Sequence, residues 1–173
     1  MMREVKNAKA LGVLVSALLV SVFATGCATT SNLPAPKLMQ ASNDFYSASA
    51  TTNCDSDGCK SFDLTVVNKT TQDIKLDWNK TVFVSNGQAS GGLWFEGIVI
   101  RDRNLPRPPD VIFASGSYKK TVVPNASMHF GGLLLASWEI KPMPVGEGGL
   151  YLVIDVDGKE VPLRMTTQVH AGK

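Results

Sequence analysis

The chain has 173 residues, with 17 Lys and Arg residues against 15 Asp and Glu residues and a formal net charge of +2. This length suits one domain with a hydrophobic core of ordinary size. A charge so close to zero argues against nucleic acid as a partner, because strongly basic surfaces are what bind a phosphate backbone.

The first element in chain order is an apolar N-terminal segment. Residues 10–24 carry no charged side chain, and they follow a stretch that contains Arg3, Lys6 and Lys9. The segment is shorter than the roughly 20 apolar residues that a membrane-spanning helix needs. A basic stretch before a short apolar core predicts an export signal peptide. The alternative interpretation is an anchor helix that is not cleaved.

Ala24-Thr25-Gly26-Cys27 ends this apolar segment. The arrangement resembles the lipobox of bacterial lipoproteins, the substrates of signal peptidase II. The resemblance implies cleavage before Cys27 and attachment of two or three acyl chains, such as palmitate, to the processed cysteine. Anchoring by more than one chain is effectively permanent. Ala28 stands where an aspartate retains lipoproteins at the inner membrane of enteric bacteria, so the resemblance also implies the periplasmic face of the outer membrane.

Three regions are therefore predicted: a signal peptide at 1–26, a lipidated N-terminus with a flexible tether at 27–42, and a folded domain at 43–173. The tether is rich in Ser, Thr, Pro and Ala and contains few large apolar side chains, a composition typical of semi-extended linkers. Removal of residues 1–26 takes away three basic residues and one acidic residue, which leaves 14 of each in the mature chain. We therefore expect a neutral domain.

From about residue 43 onward, apolar side chains alternate with polar ones, which is typical of strands. In the stretches 61–66 and 73–78 every second side chain is apolar, and polar turn-forming residues occupy 68–73 between them. This pattern predicts an antiparallel hairpin. Further strands are predicted at 82–84, 95–100 and 118–123.

Two dipeptides predict tight turns, Asn86-Gly87 and Asp157-Gly158. The second suits a type I′ turn, whose two central residues have positive φ angles. The second turn joins predicted strands at 150–156 and 159–165. Residues 133–140 are apolar enough for a strand or a short helix, and both interpretations stay open.

Seven or eight short strands in one neutral domain predict an all-β fold. We expect an antiparallel β-sandwich with immunoglobulin-like or related topology, and a small closed β-barrel is the alternative. Such a fold alone does not imply a function.

Cys54 and Cys59 flank the turn-forming residues Asp55-Ser56-Asp57-Gly58. An oxidising exported compartment and a predicted turn favour a disulfide that clamps a hairpin of residues 43–53 and 60–68. A zinc site is the alternative, but no His lies close by in the sequence to complete the ligand set. The two aspartates superficially resemble a calcium loop, but the later ligand positions do not match. No metal or cofactor is expected.

The sequence has no motif typical of a catalytic site. No Gly-x-Ser-x-Gly nucleophile motif is present. Glu96 and Glu139 each follow an aromatic residue, but nothing in the sequence brings them to the carboxylate spacing that glycoside hydrolysis needs. We therefore expect no enzyme. The alternative is a small-ligand binder or hydrolase with a pocket near Glu96, Glu139 or His129.

Residues 86–110 form the segment most typical of a binding surface. It combines a glycine-rich stretch with an aromatic pair and a basic, proline-rich loop, a composition common in interface hot spots. The candidate partner-binding residues are Trp94, Phe95, Arg101, Arg103 and Arg107. The competing interpretation places the two aromatic residues in the core and pairs the arginines with nearby aspartates. The sequence thus predicts a non-catalytic lipoprotein that binds another envelope component, a protein of unknown identity, and is held to the membrane by its N-terminal lipid.

Overall fold

The computed structural model describes residues 37–131 and 137–172. The predicted signal peptide and Cys27 lie outside the described residues. The strands of the described part are β1 (Leu38–Ser42), β2 (Tyr46–Asp55), β3 (Gly58–Asn68), β4 (Ile74–Leu76), β5 (Val82–Ser85), β6 (Gln88–Ala89), β7 (Leu93–Trp94), β8 (Asp110–Ile112), β9 (Ser117–Pro124), β10 (Met128–Gly131), β11 (Ser137–Ile140), β12 (Gly146–Val156) and β13 (Lys159–Val169). Two single-turn 3-10 helices occupy Ile100–Asp102 and Asn125–Ser127. No helix in the described part is both long enough and apolar enough to cross a bilayer.

The strands form two main antiparallel sheets and one separate hairpin. The first sheet has the order β1-β2-β3-β9-β7, and the separate hairpin pairs β10 with β11. The second sheet is built around β12, which pairs with β13 along its whole length. The other side of β12 pairs with β5 and β4, which extend to β6 and β8 respectively.

The inner faces of the two main sheets share one hydrophobic core. Tyr46 and Phe62 come from the first sheet, and Phe83, Leu150 and Ile154 come from the second; all five are fully buried. The sheets are antiparallel and do not close into a barrel, as expected of a β-sandwich. The all-β prediction is therefore confirmed, and the barrel alternative is wrong.

The hairpins that depend on local turn chemistry are confirmed. Asn86 and Gly87 join β5 to β6 with φ angles of 48° and 80°. Asp157 and Gly158 join β12 to β13 with φ angles of 53° and 75°. The predicted strand at 118–123 lies within β9. Of the undecided residues 133–140, β11 accounts for 137–140 and the remainder lies outside the described residues.

The hairpin predicted between 61–66 and 73–78 is wrong. These stretches contain β3 and β4, which belong to different sheets. The connection turns from one sheet to the other around the buried amide of Asn68, whose nitrogen donates to the carbonyl oxygens of Gln72, Ile112 and Phe113. Side-chain bonds to the backbone can replace ladder pairing in this way, and they stabilise a corner here.

Two other boundaries also differ from the prediction. Residues 95–100 form a turn and the start of a 3-10 helix instead of a strand, because Ile98 bonds back to Phe95 and Gly97 has a φ angle of 95°. The predicted tether overlaps β1, which pairs with β2 and buries Met39. The folded domain therefore begins several residues before position 43.

The disulfide between Cys54 and Cys59 is confirmed. It bridges the hairpin of β2 and β3 next to its turn, and the cysteines are thus not zinc ligands. Asp55 and Asp57 both form ion pairs with Lys60, at 2.8 and 3.1 Å. Both carboxylates of the calcium-like turn therefore have a cation of the chain itself beside them.

Candidate functional site

The basic loop from Ile100 to Pro109 lies against the end of the first sheet. The sequence predicts that all three arginines of this loop bind a partner. In the structure these arginines have three different environments. Arg101 points outward from the 3-10 helix, with a side chain that is 80% exposed and an ion pair to Asp102 at 3.6 Å. An exposed pair of this kind contributes little to stability.

Arg107 reaches inward under the loop. Its Nη2 donates to the carbonyl oxygen of Leu93 at 2.7 Å and to that of Arg103 at 3.0 Å. The guanidinium also lies over the Phe95 ring, 5.1 Å from the centroid. Burial lowers the pKa of the Arg107 guanidinium, although arginine stays charged in proteins. Arg107 therefore fastens the loop to β7.

Arg103 lies between the loop and the separate hairpin. Its guanidinium carbon is 4.5 Å from the ring centroid of Trp138, an attractive cation–π arrangement. Nη1 donates to the carbonyl oxygen of Ile100 at 3.3 Å. Nε is shielded from solvent and has no hydrogen-bond partner in the described part of the chain.

Two asparagines hold the loop backbone in place. Asn79 forms a two-way contact with Arg107: its Nδ2 donates to the Arg107 carbonyl at 2.7 Å, and its Oδ1 accepts from the Arg107 amide at 2.8 Å. Asn125 donates from Nδ2 to the Arg103 carbonyl at 3.1 Å and to Asn104 at 2.9 Å. Sequence reasoning assigned neither asparagine a site role, because both contacts join residues more than 20 positions apart.

A groove with a volume of about 310 Å³ opens between the loop and the sandwich. We call it the arginine groove, and it is lined by Trp78, Asn79, Gly92, Arg103, Asn104, Leu105, Pro106, Arg107 and Asn125. Across residues 37–131 and 137–172, no carboxylate lies within ion-pair distance of Arg103 or Arg107. Arg107 Nη1, like Arg103 Nε, is buried without a hydrogen-bond partner there. The groove is thus lined by two guanidiniums that have no carboxylate partner in the described part of the chain, and guanidiniums bind carboxylates and phosphates well.

A second polar cluster lies beside the groove, between the two sheets. The Asp110 carboxylate accepts from Trp78 Nε1 at 2.9 Å, from Lys120 Nζ at 3.0 Å and from the Tyr118 hydroxyl. The Lys120 ammonium also lies 3.9 Å from the Phe95 ring centroid. Asp110 and Lys120 neutralise each other, so this cluster needs no external ion.

The Asp110 cluster shifts the pKa values of its acidic groups. Burial opposes ionisation of Asp110, but the hydrogen bonds from Tyr118, Trp78 and Lys120 outweigh it and lower the pKa of this carboxyl. Burial and the neighbouring carboxylate raise the pKa of Tyr118. One signal in the sequence could have revealed the cluster. The alternation of β9 places Lys120 on the same face as buried Val122, where a lysine needs a partner.

The two predicted interface aromatics are not exposed anchors. Phe95 is buried and packs on Trp78, with ring centroids 4.6 Å apart. Trp94 is half-buried and donates from Nε1 to the Ile98 carbonyl at 2.8 Å. The structure therefore brings Phe95, Arg103 and Arg107 together around the groove, and it leaves Arg101 on the outer side of the loop.

The three residues of the alternative function lie on three different elements. His129 and Glu139 are directly opposite each other on β10 and β11, and both are exposed. Glu96 is exposed in the turn after β7. Within the described ranges, no group of three or more His, Cys, Asp and Glu residues has an arrangement that could hold a metal ion.

No protein-family model matches this chain, and no curated protein sequence matches it.

Proposed function

We propose that the protein is a lipid-anchored lipoprotein of the bacterial envelope and that its β domain is a non-catalytic binding module. In this proposal the arginine groove receives a carboxylate from another envelope protein. The observation that carries the proposal is that Arg103 and Arg107 lack a carboxylate partner in the described part of the chain. A charge left unpaired at a partly buried site is costly, and an acidic group from a partner would compensate it.

The groove suits recognition because its donors are already held in place. Asn79 and Asn125 fix the loop backbone, and three prolines, Pro106, Pro108 and Pro109, limit its conformations. Less conformational entropy is then lost when a partner binds. Two guanidiniums within one groove also favour a carboxylate, which can accept two hydrogen bonds from one arginine.

The lipid anchor is supported by Cys27 and the small residues before it. Replacement of this cysteine, Cys27→Ser, tests the anchor directly. We expect the variant to remain unprocessed and to take up no labelled fatty acid, whereas the parent chain is shortened and labelled. Outer-membrane localisation is tested by separating the two membranes on a density gradient. Processing and labelling of the serine variant would contradict the anchor.

The groove is tested with Arg103→Gln, which removes one charge while leaving Arg107 and its bonds to the loop in place. Arg164→Gln is the matched control, because Arg164 is a surface arginine paired with Glu147. The probe is N-acetylglutamate, and the measured signal is the arginine Nε–H resonance in a ¹H–¹⁵N spectrum. We expect the Arg103 signal to shift on titration while the Arg164 signal does not move.

The same variants are then compared in envelopes after chemical cross-linking. We expect Arg103→Gln to reduce capture of one defined partner and Arg164→Gln to leave it unchanged, with similar thermal unfolding midpoints for both. Equal capture by both variants, together with an unshifted Arg103 resonance, would contradict a carboxylate-binding groove.

A further inference from the structure

One end of the sandwich carries both the start of the folded domain and the separate hairpin. Lys37 accepts a hydrogen bond from the Thr52 amide at 3.0 Å, which places the start of β1 beside the end of β2. The disulfide turn is at this same end, and the Cys59 carbonyl accepts from the Met143 amide at 2.7 Å, directly after β11. We call this region, defined by Lys37, the Cys54–Cys59 turn and the strands β10 and β11, the hairpin end.

The hairpin end exposes large apolar side chains. Phe130 of β10 is 61% exposed and contacts Trp138 of β11, with ring centroids 5.3 Å apart. These two residues are cross-strand partners, so their side chains lie on one face of a hairpin that belongs to neither main sheet. Leu38 and Val145 at the same end are 62% and 60% exposed.

The length of chain before the domain limits which end can approach a membrane. Lys37 is ten residues after Cys27, and an extended chain spans at most about 3.6 Å per residue, or ~36 Å in total. The opposite end, defined by Phe45, Lys69 and Phe113, also exposes apolar side chains, and Phe113 is 71% exposed. However, β2 alone has ten residues and is about 33 Å long. The opposite end would reach the bilayer only with the connecting chain stretched along the whole domain.

We propose that the hairpin end rests on the phospholipid surface, with Phe130 and Trp138 in the headgroup region. This inference rests on the lipid anchor in the proposed function. Aromatic side chains are favoured at the membrane interface, where an apolar ring and a polar N–H both find suitable surroundings. The anchor holds the hairpin close to the bilayer, so a weak contact suffices because its effective concentration is high. The guanidinium of Arg103 lies over the Trp138 ring, 4.5 Å from its centroid.

The test uses the mature lipidated chain in vesicles of phosphatidylethanolamine and phosphatidylglycerol. Lipids brominated near the headgroup quench tryptophan emission at short range. We expect quenching in the parent chain and less quenching in Trp138→Phe. Trp78 is buried, and Trp94→Phe measures the share of Trp94, which is half-buried like Trp138. The matched control Phe113→Trp introduces a tryptophan at the opposite end, and we expect no added quenching from it.

The outcomes separate this inference from the anchor. A chain that floats with the vesicles but shows no quenching dependent on Trp138 overturns the membrane contact and leaves the anchor intact. Added quenching in Phe113→Trp would show that the opposite end faces the bilayer, which also overturns the contact. A chain that neither floats nor takes up labelled fatty acid overturns the anchor and the contact together. Should Trp138→Phe unfold, a nitroxide label on Phe130→Cys reports immersion by its accessibility to oxygen, and a water-exposed label contradicts the contact.

Discussion

The hydroxyl of Tyr46 donates a 2.7 Å hydrogen bond to the carbonyl oxygen of Val161. Tyr46 lies on β2 and Val161 lies on β13, so this bond joins the two main sheets across the core. The tyrosine side chain is fully buried, and its burial raises the pKa of Tyr46 to about 12.

We expect Tyr46→Phe to lower the free energy of unfolding by about 1–2 kcal/mol at pH 8, because the Val161 carbonyl loses its donor. The difference in unfolding free energy between the parent chain and Tyr46→Phe should become smaller at alkaline pH. A tyrosine with a raised pKa stabilises the fold below its unfolded pKa of about 10, and this contribution is lost as the pH rises through the folded value. Urea unfolding at pH 8, 10 and 11 measures the effect. A constant difference between the two proteins across this range would contradict it.

At Gly149 the backbones of β12 and β13 approach each other closely. A Cβ atom at this position would lie 2.0 Å from the Met165 carbonyl oxygen and 2.8 Å from the Thr166 Cα. Both contacts are with backbone, so the strands themselves would have to separate. We expect Gly149→Ala to destabilise the fold by about 3 kcal/mol or more. Gly131→Ala is the control, because a Cβ there meets no atom of the described residues within 4 Å. Equal unfolding midpoints for the two variants would contradict the packing argument.

The Asp110 carboxylate predicts a dependence on acid. Its pKa is lowered in the fold, so its contribution is present above the ordinary carboxyl pKa and is lost as the pH falls through the folded value. Asp110→Asn should lower stability by about 1–2 kcal/mol at pH 7, a figure that allows for partial exposure of the ion pair. It should also flatten the decline in stability between pH 5 and pH 2. Chemical unfolding across this range checks both effects against Glu96→Gln, which removes an exposed carboxylate, and the same decline in Asp110→Asn and the parent chain would contradict the assignment.

The sequence predicts the parts of the fold that depend on neighbouring residues. Asn86-Gly87 and Asp157-Gly158 specify their turns because both dipeptides tolerate positive φ angles. The Cys54–Cys59 bridge is predictable for the same reason, since its partners flank one turn. The assignment of β3 and β4 to different sheets is not, because it depends on Asn68 bonds to residues more than 40 positions away.

The candidate site, too, could be predicted from the sequence only in part. A loop rich in arginine and proline is visible in the sequence, but the orientation of each arginine is not. Arg107 turns inward because an acceptor on Leu93 lies 14 positions earlier in the chain. Arg103 meets Trp138, which lies 35 positions later in the chain. Such contacts form only when the sheets assemble, so the local sequence pattern does not predict them.

The inward position of Arg107 leads to the final prediction, which concerns stability and not binding. Arg107→Ala removes the bonds to Leu93 and Arg103 and the contact with Phe95. We expect a loss of about 2–3 kcal/mol, partly from lost packing of the long side chain. Arg101→Ala removes an arginine from the outer side of the same loop, and we expect a change within about 0.5 kcal/mol. Urea unfolding of both variants measures the contrast, and equal unfolding free energies would mean that Arg107 does not fasten the loop. Because Arg107 supports the fold, a loss of partner capture in Arg107→Ala would not identify a binding contact, whereas the same loss in a stably folded Arg103→Gln would.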